Sequence, residues 1–258
     1  GMLNFGSPTL TGVTFSGNRA NIYGGGMFNA GSPVLTNVIF AGNRAGQGGG
    51  MFNLGSGGTS SPALSNVTFA GNQADDGGGM FNYAINGGTS SPTLVNVAFA
   101  GNWADHYGGG IANWGFGGTS SPTLTNVTFA GNQAIYGGGM YNWGQLGGAS
   151  SPTLANAIVW GNDAITGTQI YNDGATLNMS YSLVQGGYVT GTHILDLDPQ
   201  FVAPITATAA PTTTGDYRLL GSSPAIDAGD NLSVTTGITT DLDGRPRLYD
   251  HPRLDTGN

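Results

Sequence analysis

Hydrophobic positions return along this chain in a fixed order, Leu, then Val three residues on, then Phe two further. The sets are Leu35, Val38, Phe40; Leu64, Val67, Phe69; Leu94, Val97, Phe99; and Leu124, Val127, Phe129. Val to Phe at a spacing of two places both side chains on one face of a strand, whereas Leu to Val at three does not fit a straight strand. A bend must lie between them. The residue there is Asn37, Asn66, Asn96, Asn126 or Asn156, with Gly12 in the first unit. Those are the residue types that most readily accept the left-handed backbone conformation.

The polar positions repeat with the apolar ones. Ser-Pro begins at Ser7, Ser32, Ser61, Ser91, Ser121 and Ser151, and Gly-Asn follows it at Asn18, Asn43, Asn72, Asn102, Asn132 and Asn162. The steps are 25, then 29 or 30. A third apolar element follows the glycine triplets as Met27-Phe28-Asn29, Met51-Phe52-Asn53, Met80-Phe81-Asn82, Ile111-Ala112-Asn113, Met140-Tyr141-Asn142 and Ile170-Tyr171-Asn172. A fixed period of this size means stacked units that bury a continuous core between them. Three short strands per coil, pairing in parallel with like strands of the next coil, predict an all-β parallel β-helix of about six to eight coils.

The Asn columns are expected to be structural ladders, since a corner amide can bond both its own turn and the amide of the next coil. Asn66-Val-Thr and Asn126-Val-Thr fall on that ladder and are discounted as glycan sites. The repeat decays after Trp160 and is gone from about Tyr188, so two segments are expected: coils over 1–187 and an irregular cap over 188–258 packed on the last coil.

Composition narrows the chemistry. There is no Cys, Lys or Glu, which removes disulfides, thiolate metal sites, Lys nucleophiles and Glu acid/base pairs. Six Arg against fourteen Asp give a net charge of -8, so nucleic acid and anionic membranes are not expected partners. No stretch is long and apolar enough to span a membrane. Low charge, no Cys and abundant Thr, Asn, Ser and Gly suit an extracellular location.

Two variable points could carry function. Loops of changing length follow the third strand, opened by Leu54, Tyr83, Trp114 and Trp143. Tyr83, Trp114 and Trp143 form a candidate stripe for stacking sugar rings, against the alternative that they stack on one another over the edge of the core. The second point is the stretch after Gly-Asn-X-Ala, which carries Asp75-Asp76 in one coil and Asp105-His106 in the next. Carboxylates brought together there could bind Ca²⁺ or act as acid and base on a glycosidic bond, against the alternative of a solvated turn. Asp241-Leu-Asp243-Gly244 is a weak match to a calcium loop, and Asp–Arg pairing within the cap is preferred there.

Two resemblances bear on function. Asp198-Pro-Gln-Phe-Val202, Gly215-Asp-Tyr-Arg-Leu219, Ser223-Pro-Ala-Ile-Asp-Ala-Gly229 and Asp241-Leu-Asp-Gly-Arg-Pro-Arg247 resemble the end segment of bacterial surface β-helix proteins with a choice-of-anchor module. Gly-Gly-Gly-Met-Phe-Asn and Gly-Asn resemble the repeats of polymorphic outer-membrane proteins and related adhesins. The resemblance implies a right-handed β-helix at a cell surface and supplies no catalytic residue. The family segment normally continues past the place matching Leu254-Asp255-Thr256-Gly257. Gly1-Met2-Leu3-Asn4 matches Gly26 to Asn29, so the chain opens in the middle of a coil. An uncapped first coil, with Met2, Leu3 and Phe5, is expected either to stack head to tail on another copy or to continue a longer parent surface protein. The leading expectation is a non-enzymatic structural or adhesive protein without a cofactor. The alternative is a carbohydrate-binding or carbohydrate-active β-helix using Asp75, Asp76, Asp105 and His106.

Overall fold

The computed structural model describes residues 1–234 and 238–247. It is a parallel β-helix of about six coils, with three strands in each of the middle coils, whose like strands form sheets of ten, seven and four strands. The largest sheet contains the eight-residue strands Val34–Ala41, Ala63–Ala70, Thr93–Ala100 and Thr123–Ala130. Each is bent at the expected Asn, where φ is 56° at Asn37, 55° at Asn66 and Asn96 and 57° at Asn126; Asn156, at 54°, separates the shorter strands Thr153–Ala155 and Ile158–Trp160. The left-handed residue turns Leu35 and Val38 to the same interior, which is how a spacing of three puts both in one core. What the hydrophobic pattern presents as two strands and a corner is therefore one bent strand in the middle coils.

The third strand per coil comes from the stretch after Gly-Asn. Gln73–Asp76, Trp103–Tyr107, Gln133–Tyr136 and Asp163–Thr166 pair in parallel, each turning its Ala inward. The Met-Phe-Asn strands run longer than their motif, to Met51–Ser56, Met80–Ile85, Ile111–Phe116 and Met140–Gln145. Between these two sheets runs the glycine triplet. A Cβ on Gly78 would stand 2.5 Å from the carbonyl oxygens of both Trp103 and Gly109, so no side chain fits where the coils close.

The interior is built of ladders. Phe40, Phe69, Phe99 and Phe129 stack at 4.7 to 4.9 Å with their rings nearly parallel, with Phe15 on the end of the row. Beside them Asn43, Asn72, Asn102 and Asn132 are fully buried. Each accepts, on its Oδ1, the backbone N–H and the Nδ2 of the Asn one coil earlier, and donates its own Nδ2 to a Phe carbonyl of that coil. Gln169 takes over at the far end, accepting from Asn162 at 2.8 Å. A second row, buried from Asn4 through Asn29, Asn53, Asn82 and Asn113 to Asn142 and half-buried at Asn172, is linked amide to amide at 2.7 to 2.9 Å and ends on the hydroxyl of Tyr188. Buried amides are costly unless bonded on both sides, and the stacking supplies both partners from the neighbouring coils.

Beyond Tyr188 the chain does two things. Thr192–Leu195 pairs in parallel with Asn178–Val184 and continues the last coil. The rest turns back along the flank of the helix. Phe201–Ala203 and Asp216–Leu219 form an antiparallel hairpin, and Thr212 donates its backbone N–H to the carbonyl of Gly101 at 3.0 Å. Ile205, Thr212 and Tyr217 lie against the left-handed corner glycines Gly71, Gly101 and Gly131. On the Asn corner, Asn96 donates to the carbonyl of Thr240, and Asn156 exchanges two hydrogen bonds with the backbone of Asp230. The segment expected to sit on the last coil thus also straps coils three to six from the side. Arg218 pairs with Asp216 within it, and the Asp241 carboxylate accepts the backbone N–H groups of Asp243 and Arg245, closing a turn. The residues around Leu254 lie outside the described residues.

Candidate functional site

The outer face of the Met-Phe-Asn sheet follows from strand alternation. Met51 and Asn53 point inward, so Phe52 and Leu54 point out, and the same holds one coil on for Phe81 and Tyr83. In register along the helix this gives the row Phe52, Phe81, Ala112, Tyr141 and, beside it, the row Leu54, Tyr83, Trp114, Trp143. The expected stripe of Tyr83, Trp114 and Trp143 is therefore brought together, on neighbouring strands. Trp114 lies 5.1 Å from Trp143 and 6.2 Å from Tyr83, ring centre to ring centre. Phe116 stacks on Trp143 at 5.6 Å and is exposed. Phe116, Phe81 and Tyr141 were not singled out from sequence, although the period-two alternation through Met-Phe-Asn-Tyr contains them.

Ala112 interrupts the inner of these rows, and an insertion one strand earlier fills the space. The strand Trp103–Tyr107 has one residue more than its neighbours and carries it as a bulge. The extra length swings Tyr107 over the gap, 4.6 Å from Tyr141 and 5.6 Å from Trp114. Burial, with the nearby Asp173 carboxylate second, holds the Tyr141 hydroxyl well above its usual range. That hydroxyl donates to Asp173 Oδ2 at 3.3 Å, and Gln145 Nε2 donates to Asp173 Oδ1 at 2.9 Å. Asp173 is the register partner of Trp143, so the stripe ends on an oriented carboxylate.

The acidic cluster is only partly assembled. Asp75 and Asp76 are neighbours on one strand, yet Asp75 is exposed and Asp76 is buried. The bulge aligns Asp76 with Tyr107, not with His106. His106 and Asp105 stay on the surface. Asp76 Oδ2 accepts from Gln47 Nε2 at 3.0 Å, while its Oδ1 has no hydrogen-bond partner. His106 Nδ1 approaches that oxygen to 3.8 Å and His106 Nε2 lies 4.0 Å from Asp105 Oδ2. Burial is the largest influence on Asp76 and raises its pKa above the ordinary carboxylate range. The arrangement is an imidazole set between two carboxylates. Among the described residues no group of three acidic or imidazole side chains is placed to hold a metal ion.

The corner column Asn37, Asn66, Asn96, Asn126, Asn156 is structural in its backbone, with amide links from Asn66 to Asn37 at 3.2 Å and from Asn96 to Asn66 at 3.0 Å. At the first coil Met2 packs against the core, while Leu3 and Phe5 are 65% and 70% exposed. Among the described residues no helix is long and apolar enough to cross a membrane. The fold and this outer face define a parallel β-helix with one aromatic side. No protein-family model matches the chain, and no curated protein matches it in sequence.

Proposed function

We propose that the chain is a non-enzymatic structural or adhesive β-helix working at an extracellular face, a stiff rod that displays its aromatic side. The observation that carries this reading is the pair of buried Asn ladders, in which the interior amides of six coils bond to one another and to the backbone. Such a rod resists bending because every coil is tied to the next by side chains as well as by backbone. Its repeats resemble those of surface adhesins, and its low charge and lack of Cys agree with that location. End-to-end stacking through Met2, Leu3 and Phe5 belongs to the same proposal. Any coil of matching register satisfies that edge, whether it comes from a second copy or from the same polypeptide.

Negative-stain microscopy across a concentration series, with light scattering alongside, tests the assembly. Fibres of uniform width that lengthen with concentration are expected. Short monodisperse rods at every concentration would remove self-assembly from the proposal. A reducing-end assay on polysaccharides tests the non-enzymatic part, since steady release that stops with Asp76→Asn would transfer the protein to the carbohydrate-active class.

A second reading is favoured by one observation, the in-register stripe Tyr83, Trp114, Trp143 on the outer face. Aromatic rings stepped along an axis stack against sugar rings, so this reading makes the rod a carbohydrate-binding protein.

A further inference from the structure

Resting on that second reading, we infer that the binding site is the C-terminal end of the stripe, where Trp114, Trp143 and Phe116 form a platform and Asp173 with Gln145 forms its polar stop, and that its ligand is an uncharged polysaccharide lying along the helix axis.

The platform steps by about 4.8 Å per coil, the spacing of paired strands, so successive rings meet successive parts of an extended ligand. Phe116 is 41% exposed and stacked on Trp143 with 21° between the ring planes, which adds one exposed ring to the same face. At the next coil the aromatic position is occupied by Asp173. Its carboxylate is held from two sides, by Gln145 Nε2 at 2.9 Å and by the Tyr141 hydroxyl at 3.3 Å. Each carboxylate oxygen keeps acceptor capacity beyond those single bonds, and Gln145, exposed, keeps its carbonyl oxygen. A ring face beside a planar carboxylate–amide pair matches the two surfaces of a sugar, its C–H face and its equatorial hydroxyls.

The charge decides against other occupants. The five strands that bear this face, from Met51–Ser56 to Ile170–Asp173, contain no Arg or Lys. An anionic ligand, whether nucleic acid, an acidic glycan or a lipid phosphate, would meet Asp173 with no cation to offset it. The Trp114 indole N–H is buried without a hydrogen-bond partner, so that edge of the ring is turned into the protein.

The test uses the full chain with four neutral hexasaccharides, cellohexaose, laminarihexaose, mannohexaose and chitohexaose, read by tryptophan fluorescence and saturation-transfer NMR. Saturable binding of at least one is expected, weakened about tenfold or more by Trp143→Ala and by Asp173→Asn, with Trp143→Phe restoring most of it. Circular-dichroism melts confirm that the variants remain folded. If no hexasaccharide binds, the carbohydrate reading and this site fail together. If one binds but ignores both substitutions, or is lost with Asp76→Asn in their place, the reading survives and the site proposed here is wrong.

Discussion

Inside the solenoid the same side chain returns at the same place in coil after coil; on the outer aromatic face it does not. Phe40, Phe69, Phe99 and Phe129 stack within 5° of parallel, whereas the rings outside meet at anything from 9° to 84°. The two amide columns repeat Asn from one coil to the next. The outer column that runs Tyr23, Gln47, Asp76, Tyr107, Tyr136 changes type at nearly every step. Identity is what a ladder needs, because an amide or a ring is satisfied by its own copy one coil away. Where each coil must fit a different neighbour, as at Ala112 and Tyr107, the surface is individually shaped, and recognition requires that kind of surface. The difference separates positions that hold the rod together from positions free to do something with it.

The sharpest way to break the comparison is to remove one rung. Asn102→Ala strips partners from the backbone N–H and the Nδ2 of Asn72 and from the carbonyl of Phe69, all buried, and is expected to cost about 3–5 kcal/mol in denaturant melts. A cost under about 1 kcal/mol would mean that water replaces the ladder. The corner column should respond through its backbone instead. Asn66→Ala is expected to cost about 1–2 kcal/mol, because alanine resists a φ of 55°, whereas Asn66→Gly should stay within a few tenths. Equal losses for the two would show that the amide link matters more than the conformation.

On the outer face the expected effect is smaller and of opposite sign. Asp76 has its pKa raised by folding, so the native state binds its proton more tightly than the unfolded chain does. Its protonated form is therefore favoured below the ordinary value of 3.8, and that stability is lost as pH rises through the raised native value. Asp76→Asn, which imitates the protonated group, should raise the melting temperature at pH 7 by a few degrees, about 1 kcal/mol. The gain should vanish in acid. A variant less stable than the parent at pH 7 would mean that the charge is held by interactions stronger than its single bond to Gln47.

Most of the architecture was legible because the repeat states it several times over. Leu35 and Val38 at a spacing of three demand a bend, and Asn or Gly at the intervening site says where it lies. The strand Gln73–Asp76 was not legible, since four residues around one inward Ala leave no pattern longer than a single alternation. For the same reason Asp75 and Asp76 read as one cluster, although opposite sides of a strand part them. His106 is displaced from the Asp76 register by an insertion whose purpose, placing Tyr107 over Ala112, exists only once the coils are stacked. The Tyr83, Trp114, Trp143 stripe was visible as a recurrent position. Its ending on Asp173 was not, because the repeat is already decaying where that residue occurs. The return of the C-terminal segment along the flank depends on contacts between residues as distant as Asn96 and Thr240, which no local signal carries.

That return path has a consequence for how many coils the molecule can contain. A bare stack of repeats is indifferent to its own length, and duplicating a unit adds one more layer at no cost to the rest. The flanking segment is not indifferent, since it is fastened near Gly71, at Gly101 and Gly131, and again at Asn96 and Asn156. One extra unit between those points would pull its fastenings apart by about 4.8 Å, more than a hydrogen bond can follow. It therefore behaves as a gauge, tolerant of growth ahead of the third coil and intolerant of it from there to the sixth.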